Sequence, residues 1–346
     1  METKIFTVDK DVPLLESYPQ IKEAAKLIID NEVIAFPTET VYGLGANAQS
    51  DEAVKKIYEA KGRPSDNPLI VHIASFEQVD YIVQSVPNYA KVLMETFWPG
   101  PLTLILPKKG QLSKYVTAGL NTVAVRMPNH PLALALIKEA NVPVAAPSAN
   151  LSGKPSPTKA QHVYNDLKDK IAGIVNGGAT GVGLESTVLD CTTDIPTILR
   201  PGGITREQLE DVIGKVNVDV MLETDDQAPK SPGMKYTHYA PDAPLTIVNG
   251  GRDFLQSLAD RYKNEGKRVG VLTTKENAQF YNVDKIIVCG ERSKLQTVAN
   301  ELYDVLRQFD DEQIDVILSE SFPNEGIGQA IMNRLVKASG HHVVSE

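Results

Sequence analysis

The sequence predicts an α/β protein of two domains, and three observations carry that expectation. The chain has 346 residues, long enough for two domains at roughly 100–200 residues each. Short apolar runs alternate with amphipathic helical stretches along most of it, the pattern of strands joined by crossover helices. A stretch dense in Pro, Gly and acidic residues interrupts that alternation between 216 and 244.

The spacing predicts a helix over 21–29, a strand over 33–36 and a helix over 52–60 whose Ala53, Val54, Ile57 and Tyr58 share one face. A strand over 68–73 precedes helical material to about 97. Further strands are expected over 102–106, 122–126, 142–146, 173–175, 186–190 and 197–199. Thr205 and Gln208 have capping-box spacing at the start of the next helix, and Ile204 and Leu209 can form its hydrophobic staple. This makes residues 1–215 one domain and 216–244 a linker. In that linker Glu223–Pro229 is polar and acidic, and Lys235-Tyr236-Thr237-His238-Tyr239 looks like a segment that touches something. Beyond it, strands over 245–248, 268–273, 286–289 and 316–318 alternate with helices over 254–262, 295–309 and 327–338. Residues 245–346 therefore read as a small three-layer α/β domain with a parallel sheet. Gly326-Ile327-Gly328-Gln329 opens the last helix as either an anion site or a tight packing turn.

Hydrophobic residues make up 42% and charged residues 23%, the balance of a globular chain. The net charge of -9 argues against a surface devoted to nucleic acid. It is uneven: Lys and Arg against Asp and Glu give +5 over 61–160 and a deficit elsewhere, so a local anion site or a scatter of surface lysines both remain open. Cys191 and Cys289 are the two cysteines and build no disulfide framework or metal knuckle. No apolar stretch is long enough to span a membrane. The opening residues 1–6 lack a signal-peptide pattern, so a cytoplasmic protein is expected.

There is no P-loop, no His-Glu-x-x-His and no Gly-x-Ser-x-Gly. Gly43-Leu44-Gly45-Ala46-Asn47-Ala48 matches the looser dinucleotide pattern, but Pro37–Tyr42 separates it from the preceding strand, where the first Gly belongs at once. The candidates lie instead at strand ends, where α/β folds place ligand groups. Pro37-Thr38-Glu39-Thr40-Val41-Tyr42 either caps a turn or presents ligand groups. Gly62 stops the helix before it, leaving Lys61 and Arg63 on an irregular segment able to aim two cations at one polyphosphate. Thr122, Ala124 and Arg126 share a strand face that is either solvated or an anion site. Ser148, Asn150, Ser152 and Ser156 lie on a hydroxyl-rich loop. Residues 176–187 form a Gly-rich one, and Arg200 precedes a tight turn. His72 ends a strand, and His130, His162, His341 and His342 show no metal-ligand spacing.

Lys61-x-Arg63 followed by Ser148-x-Asn150 resembles the KxR…SxN tetrad of the YrdC family. Pro37–Leu44, Glu185–Val188 and Leu199–Gly202 match its other motifs in order, and the linker with the domain after it resembles the longer, two-domain branch. The resemblance implies a twisted mixed sheet with a large concave cleft, a Rossmann-like C-terminal domain, and synthesis of L-threonylcarbamoyl-AMP and pyrophosphate from L-threonine, bicarbonate or CO2, and ATP. It implies a catalytic tetrad of Lys61, Arg63, Ser148 and Asn150. ATP would be held by Lys61, Ser65, Thr122, Ser148, Ser156, Arg200 and Tyr239, and threonine by Thr38, His72, Arg126, Ala146 and Ser186. Mg2+ would arrive on the phosphates. The linker would close over the nucleotide, and a separate transferase complex would pass the product to tRNA, with direct tRNA binding weak or absent. A non-catalytic RNA-binding module is the rival reading, disfavoured by the acidic balance.

Overall fold

Residues 34–36 read Ile-Ala-Phe, and the pleat sends Ile34 and Phe36 to one side and Ala35 to the other. This alternation repeats across a sheet with helices on both faces. In the computed structural model, which describes residues 2–8, 17–219 and 238–346, eleven strands form one mixed sheet. Its order is β1 (Lys4–Thr7), β8 (Gly173–Asn176), β2 (Ile34–Phe36), β3 (Gly43–Asn47), β7 (Val144–Ala145), β4 (Ile70–His72), β6 (Thr122–Arg126), β5 (Leu102–Pro107), β9 (Thr187–Asp190), β10 (Thr197–Arg200) and β11 (Asn217–Val218). β4 and β6 run parallel, while β5 is antiparallel to β6 and parallel to β9.

Helices α1 (Pro19–Ile29) and α6 (Pro131–Ala140) bury Ile21, Ile28, Leu132 and Leu136 with Ile34, Phe36 and Val144. Helices α2 (Asp51–Lys61), α3 (Glu77–Ile82) and α4 (Asn88–Phe97) pack with Ala35, Val71, Leu104 and Val125. α5 (Lys114–Thr117), α7 (Ala160–Leu167) and α8 (Arg206–Ile213) complete this part. α2 starts on Ser50, which accepts from Ala53 N–H, and ends on Gly62 at φ 62°, a left-handed cap that favours glycine. α8 carries the expected capping box of Thr205 and Gln208, and Ile204 and Leu209 are buried in one core cluster.

The dinucleotide-like glycines form strand β3 and not a phosphate loop. A Cβ on Gly45 would stand 2.6 Å from the Phe36 ring and 3.0 Å from Val144, so glycine is there because two strands bring side chains across it. Of the two readings of the 122–126 face, the solvated one fails: β6 lies between β4 and β5, and Arg126 is buried.

The chain divides into two compact units. The second takes in Gly153–Ser156, Val182–Leu184 and the described residues from 238 onward. It holds a parallel sheet ordered β14 (Lys285–Val288), β13 (Val269–Thr273), β15 (Val316–Glu320), β12 (Leu245–Asn249) and β16 (Val343–Ser345). Helix α9 (Arg252–Asn264) packs against Val269, Val271 and Leu318, while Gly270 points the other way, against Phe309 of α10 (Leu295–Asp310). Helix α11 (Ile327–Ala338) lies beside α10. A Cβ on Gly328 would stand 2.1 Å from Pro323 O, so its opening is a packing turn. Most of the expected linker, 220–237, lies outside the described residues.

Candidate active site

Five neighbouring strands place four of the predicted residues, His72, Arg126, Ser186 and Arg200, along one end of the mixed sheet. His72 closes β4 and pairs in register with Arg126, which closes β6. Thr103 in β5 touches Ser186, just ahead of β9, with Oγ1···Oγ 2.7 Å. Arg200 closes β10. At about 4.8 Å per strand, this row spans about 20 Å along the sheet. The loop after β2 (Pro37–Tyr42) and the one after β7 are tied to each other, with Leu44 N–H donating to Pro147 O (2.7 Å) and Ala149 N–H to Tyr42 O (2.9 Å). β7 runs antiparallel to β4, with Val144 opposite His72 and Ala145 opposite Val71, so Ser148 lies toward the Thr122 end of the row.

Arg126 is held by a directional chain. Its Nη1 donates to Thr40 Oγ1 (3.0 Å), and Thr38 Oγ1 donates to Val41 O (2.6 Å). The Thr38–Thr40 bond of 2.8 Å must therefore be donated by Thr40. Nε donates to Gly100 O (3.3 Å). Nη2 stands 2.7 Å from Glu39 Oε2, but its N–H is not aligned on that oxygen, so the contact is an ion pair and not a well-directed hydrogen bond. The guanidinium is deeply buried with one edge on a carboxylate, and such an edge can accept a carboxylate in parallel N–H···O bonds.

His72 is buried, with Nδ1 3.3 Å from Ile70 O and its ring edge-on to Phe36. Burial, and then the charge of Arg126, pull its pKa down to about 3, so the ring is neutral and adds no second cation. Ala146 N–H donates to Ile70 O (2.9 Å). Thr38, Ala146 and Ser186 are all buried.

Arg200 is buried and donates from Nε and Nη2 to Ser186 O (3.2 and 3.1 Å) and from Nη2 to Ser186 Oγ (3.3 Å). Thr187 locks the same corner to Ile204 through two hydrogen bonds. A Cβ on Gly202 would meet Glu185 O, Ser186 C and Thr187 N at 2.4 Å each. The two motifs around 186 and 200 are thus one structural corner.

The tetrad is tied differently from expectation. Lys61 is the last residue of α2, not part of an irregular segment, and it is buried. Its Nζ donates to Ser148 O (2.5 Å) and Asn150 O (2.7 Å), with Asn150 Oδ1 at 3.4 Å. Lysine thus clamps the Ser-x-Asn loop by its backbone. Arg63 and Ser65 line an open depression of about 470 Å³ with Lys55, Tyr58 and Tyr115. Thr122 opens β6, four residues and about 13 Å of strand from Arg126; the structure does not bring it to the Arg126 end. Ser156 and Tyr239 fall in the second unit. Ser156 is buried, and Tyr239 stacks 5.1 Å from the Tyr303 ring, with the Arg334 guanidinium 5.9 Å away.

Residues 26–202 match the Sua5, YciO and YrdC family model, described as "Telomere recombination", and residues 204–340 match "Threonylcarbamoyl-AMP synthase, C-terminal domain". The chain belongs to the Sua5/YrdC family. It has that family's two-domain form. It is 61% identical to the threonylcarbamoyl-AMP synthase of Bacillus subtilis over 99% of this chain and 100% of that one. Its fold matches the crystal structure of Pyrococcus abyssi Sua5 complexed with L-threonine at TM-score 0.94 and 46% identity, covering 99% and 100% of the two chains. Escherichia coli YciO shares the fold of the first part at TM-score 0.52 and 24% identity, covering 58% of this chain and 96% of that one.

The roles of Thr40, Glu39, Gly100 and Thr103 around Arg126 and Ser186 were not foreseeable from composition. Thr40 and Glu39 do lie inside the quoted Pro37–Leu44 motif, which was the available signal. Among the described residues no group of three or more His, Cys, Asp or Glu side chains is placed to hold a metal ion, and no helix is long and apolar enough to cross a membrane.

Proposed function

We infer that the chain is a threonylcarbamoyl-AMP synthase that supplies the threonylcarbamoyl group for tRNA modification. The observation that carries this reading is Arg126, buried and braced by Thr40 and Gly100 with one edge given to a carboxylate. That is a seat for the carboxylate of a small amino acid. Its fit with a family relative crystallised with L-threonine supports the choice of threonine.

In this reading Arg126 receives the threonine carboxylate, and Thr38, His72, Ala146 and Ser186 surround the rest of the amino acid. Threonine's amine captures CO2 derived from bicarbonate as a carbamate. A carbamate oxygen attacks the α-phosphate of ATP, and pyrophosphate leaves. Lys61, Arg63, Ser65, Thr122, Ser148, Asn150 and Arg200 serve the nucleotide. Lys61 acts by shaping the Ser148–Asn150 loop, and Arg63 offsets phosphate charge directly. Mg2+ would arrive on the phosphates, where it neutralises charge. The protein's part is positioning and fixed charge. A transferase complex in the cytoplasm takes the product, and the enzyme itself binds tRNA weakly or not at all.

The test is pyrophosphate release with each substrate omitted in turn. Release is expected only with ATP, bicarbonate and L-threonine together, and slower with serine. Equal turnover with serine would overturn the choice of threonine. Tight, salt-sensitive tRNA binding without turnover would favour the RNA-binding module instead.

A further inference from the structure

We propose that Glu39 is the residue that binds the α-ammonium of the amino-acid substrate, released for that task when the substrate carboxylate takes its place on Arg126. The inference rests on the reading of Arg126 as the carboxylate seat.

Arg126 has one edge left for a ligand. Nε is committed to Gly100 O and Nη1 to Thr40. Nη2 faces Glu39 Oε2 at 2.7 Å without a directed hydrogen bond. An arriving carboxylate that takes this edge with better geometry must displace Glu39. Glu39 then needs a new cation, because its side chain is only 12% exposed and a carboxylate so far from water is costly unless paired. Its Oε1 is buried and has no hydrogen-bond partner among the described residues.

The substrate brings that cation. In an α-amino acid the ammonium and the carboxylate share one carbon, so an anion that touches the carboxylate's seat is within reach of the ammonium. Arg126 repels an ammonium brought beside it, and something must offset that repulsion. The other side chains shown touching Arg126 or paired with it supply no charge. Thr40 and Thr38 are hydroxyls already ordered in the chain from Arg126 to Val41 O. His72 is neutral. Glu39 is the anion. Its backbone is fixed, with Gly181 N–H donating to Glu39 O (3.1 Å) and Thr38 and Thr40 pinned on either side. The exchange is therefore a side-chain rotation and not a loop movement. Glu39 is in effect a stand-in for the substrate carboxylate while the site is empty, and the ammonium's partner when it is full.

The experiment measures binding of two ligands by calorimetry to the full chain and to Glu39→Gln. The ligands are L-threonine and 3-hydroxybutyrate, which is threonine without its amine. Wild type should bind threonine and bind 3-hydroxybutyrate far less well. Glu39→Gln should weaken threonine about 10- to 100-fold, the loss of one charged hydrogen bond. It should leave 3-hydroxybutyrate unchanged or tighter, because a neutral amide competes less for Arg126. Unchanged threonine affinity, or equal loss for both ligands, overturns the proposal; equal loss is what a merely structural ion pair gives. Glu39→Asp keeps the charge and must keep a preference for threonine; loss of preference there also overturns it. Wild type that binds neither ligand would defeat the functional reading itself. Wild type that binds threonine alongside an equally good Gln variant defeats the Glu39 inference alone.

Discussion

Lowering the pH should destabilise the mixed-sheet unit through one residue, His72. In the folded chain its pKa is about 3 against an ordinary 6.5, because burial and the Arg126 charge both oppose protonation. The unfolded chain therefore binds one more proton between those values. The His72 contribution is complete above pH 6.5 and declines as pH falls toward 3. At about 1.4 kcal/mol per pKa unit, pH 5 costs about 2 kcal/mol relative to pH 7. The readout is built in. Trp98 is the only tryptophan; it is buried in the first unit, its Nε1 donating to Leu102 O (2.7 Å). Urea unfolding followed by Trp98 fluorescence thus reports that unit. Its midpoint in wild type should fall by about 1 M more between pH 7 and pH 5 than in His72→Asn, for urea slopes of about 2 kcal/mol per M. Taking the difference between the two proteins cancels every other titrating group. Equal pH shifts in both, or an imidazole resonance for His72 that titrates above pH 5.5, would refute the argument.

Three further outcomes are expected. Gly202→Ala forces a Cβ to 2.4 Å from backbone atoms of Glu185, Ser186 and Thr187; it should lower Trp98-reported stability by about 2–3 kcal/mol and raise the KM for threonine by displacing Ser186. Lys61→Met removes the donor to Ser148 O and Asn150 O; stability should drop by about 2 kcal/mol or more and pyrophosphate release should cease, whereas unaltered stability would confine Lys61 to the chemistry. Thr205→Ala breaks the capping box of α8 and should cost about 1 kcal/mol with no change in turnover, measured on the same urea curve and the same assay.

The parts of the fold legible in the sequence were those with a periodic or capping signal. β6 shows Val123 and Val125 against Ala124, and the two sets do enter different clusters. The Gly62 stop and the Thr205 box stand as read. What escaped had a different cause each time. β3 is written Gly-Leu-Gly-Ala-Asn, poor in strand formers, and is glycine-rich because Phe36 and Val144 lie across it. α6 buries six of its ten residues, so it shows little amphipathic contrast. β16 has no buried residue to mark it. In the site, strand alternation put Arg126 on a face with no Val. That Glu39 would occupy its free edge depends on a contact 87 residues away in sequence, which no local pattern encodes.

The geometry also bears on which kind of chemistry the chain performs. Both cysteines are buried, and burial pushes their thiols well up, so neither is an activated nucleophile. His72, the imidazole paired in register with Arg126, is held neutral with too low a pKa to work as a base near pH 7. These groups suit a reaction in which the substrates attack one another and the protein aligns them. The cations support that view. Lys61 grips the Ser148 and Asn150 carbonyls, and Arg200 grips the Ser186 carbonyl; both hold loops that present other groups. Residues acting through shared geometry fail together. Once Lys61→Met has released the 148–150 loop, adding Ser148→Ala should cost less than it does alone. Two losses that simply multiplied would mean instead that each group contacts the nucleotide independently.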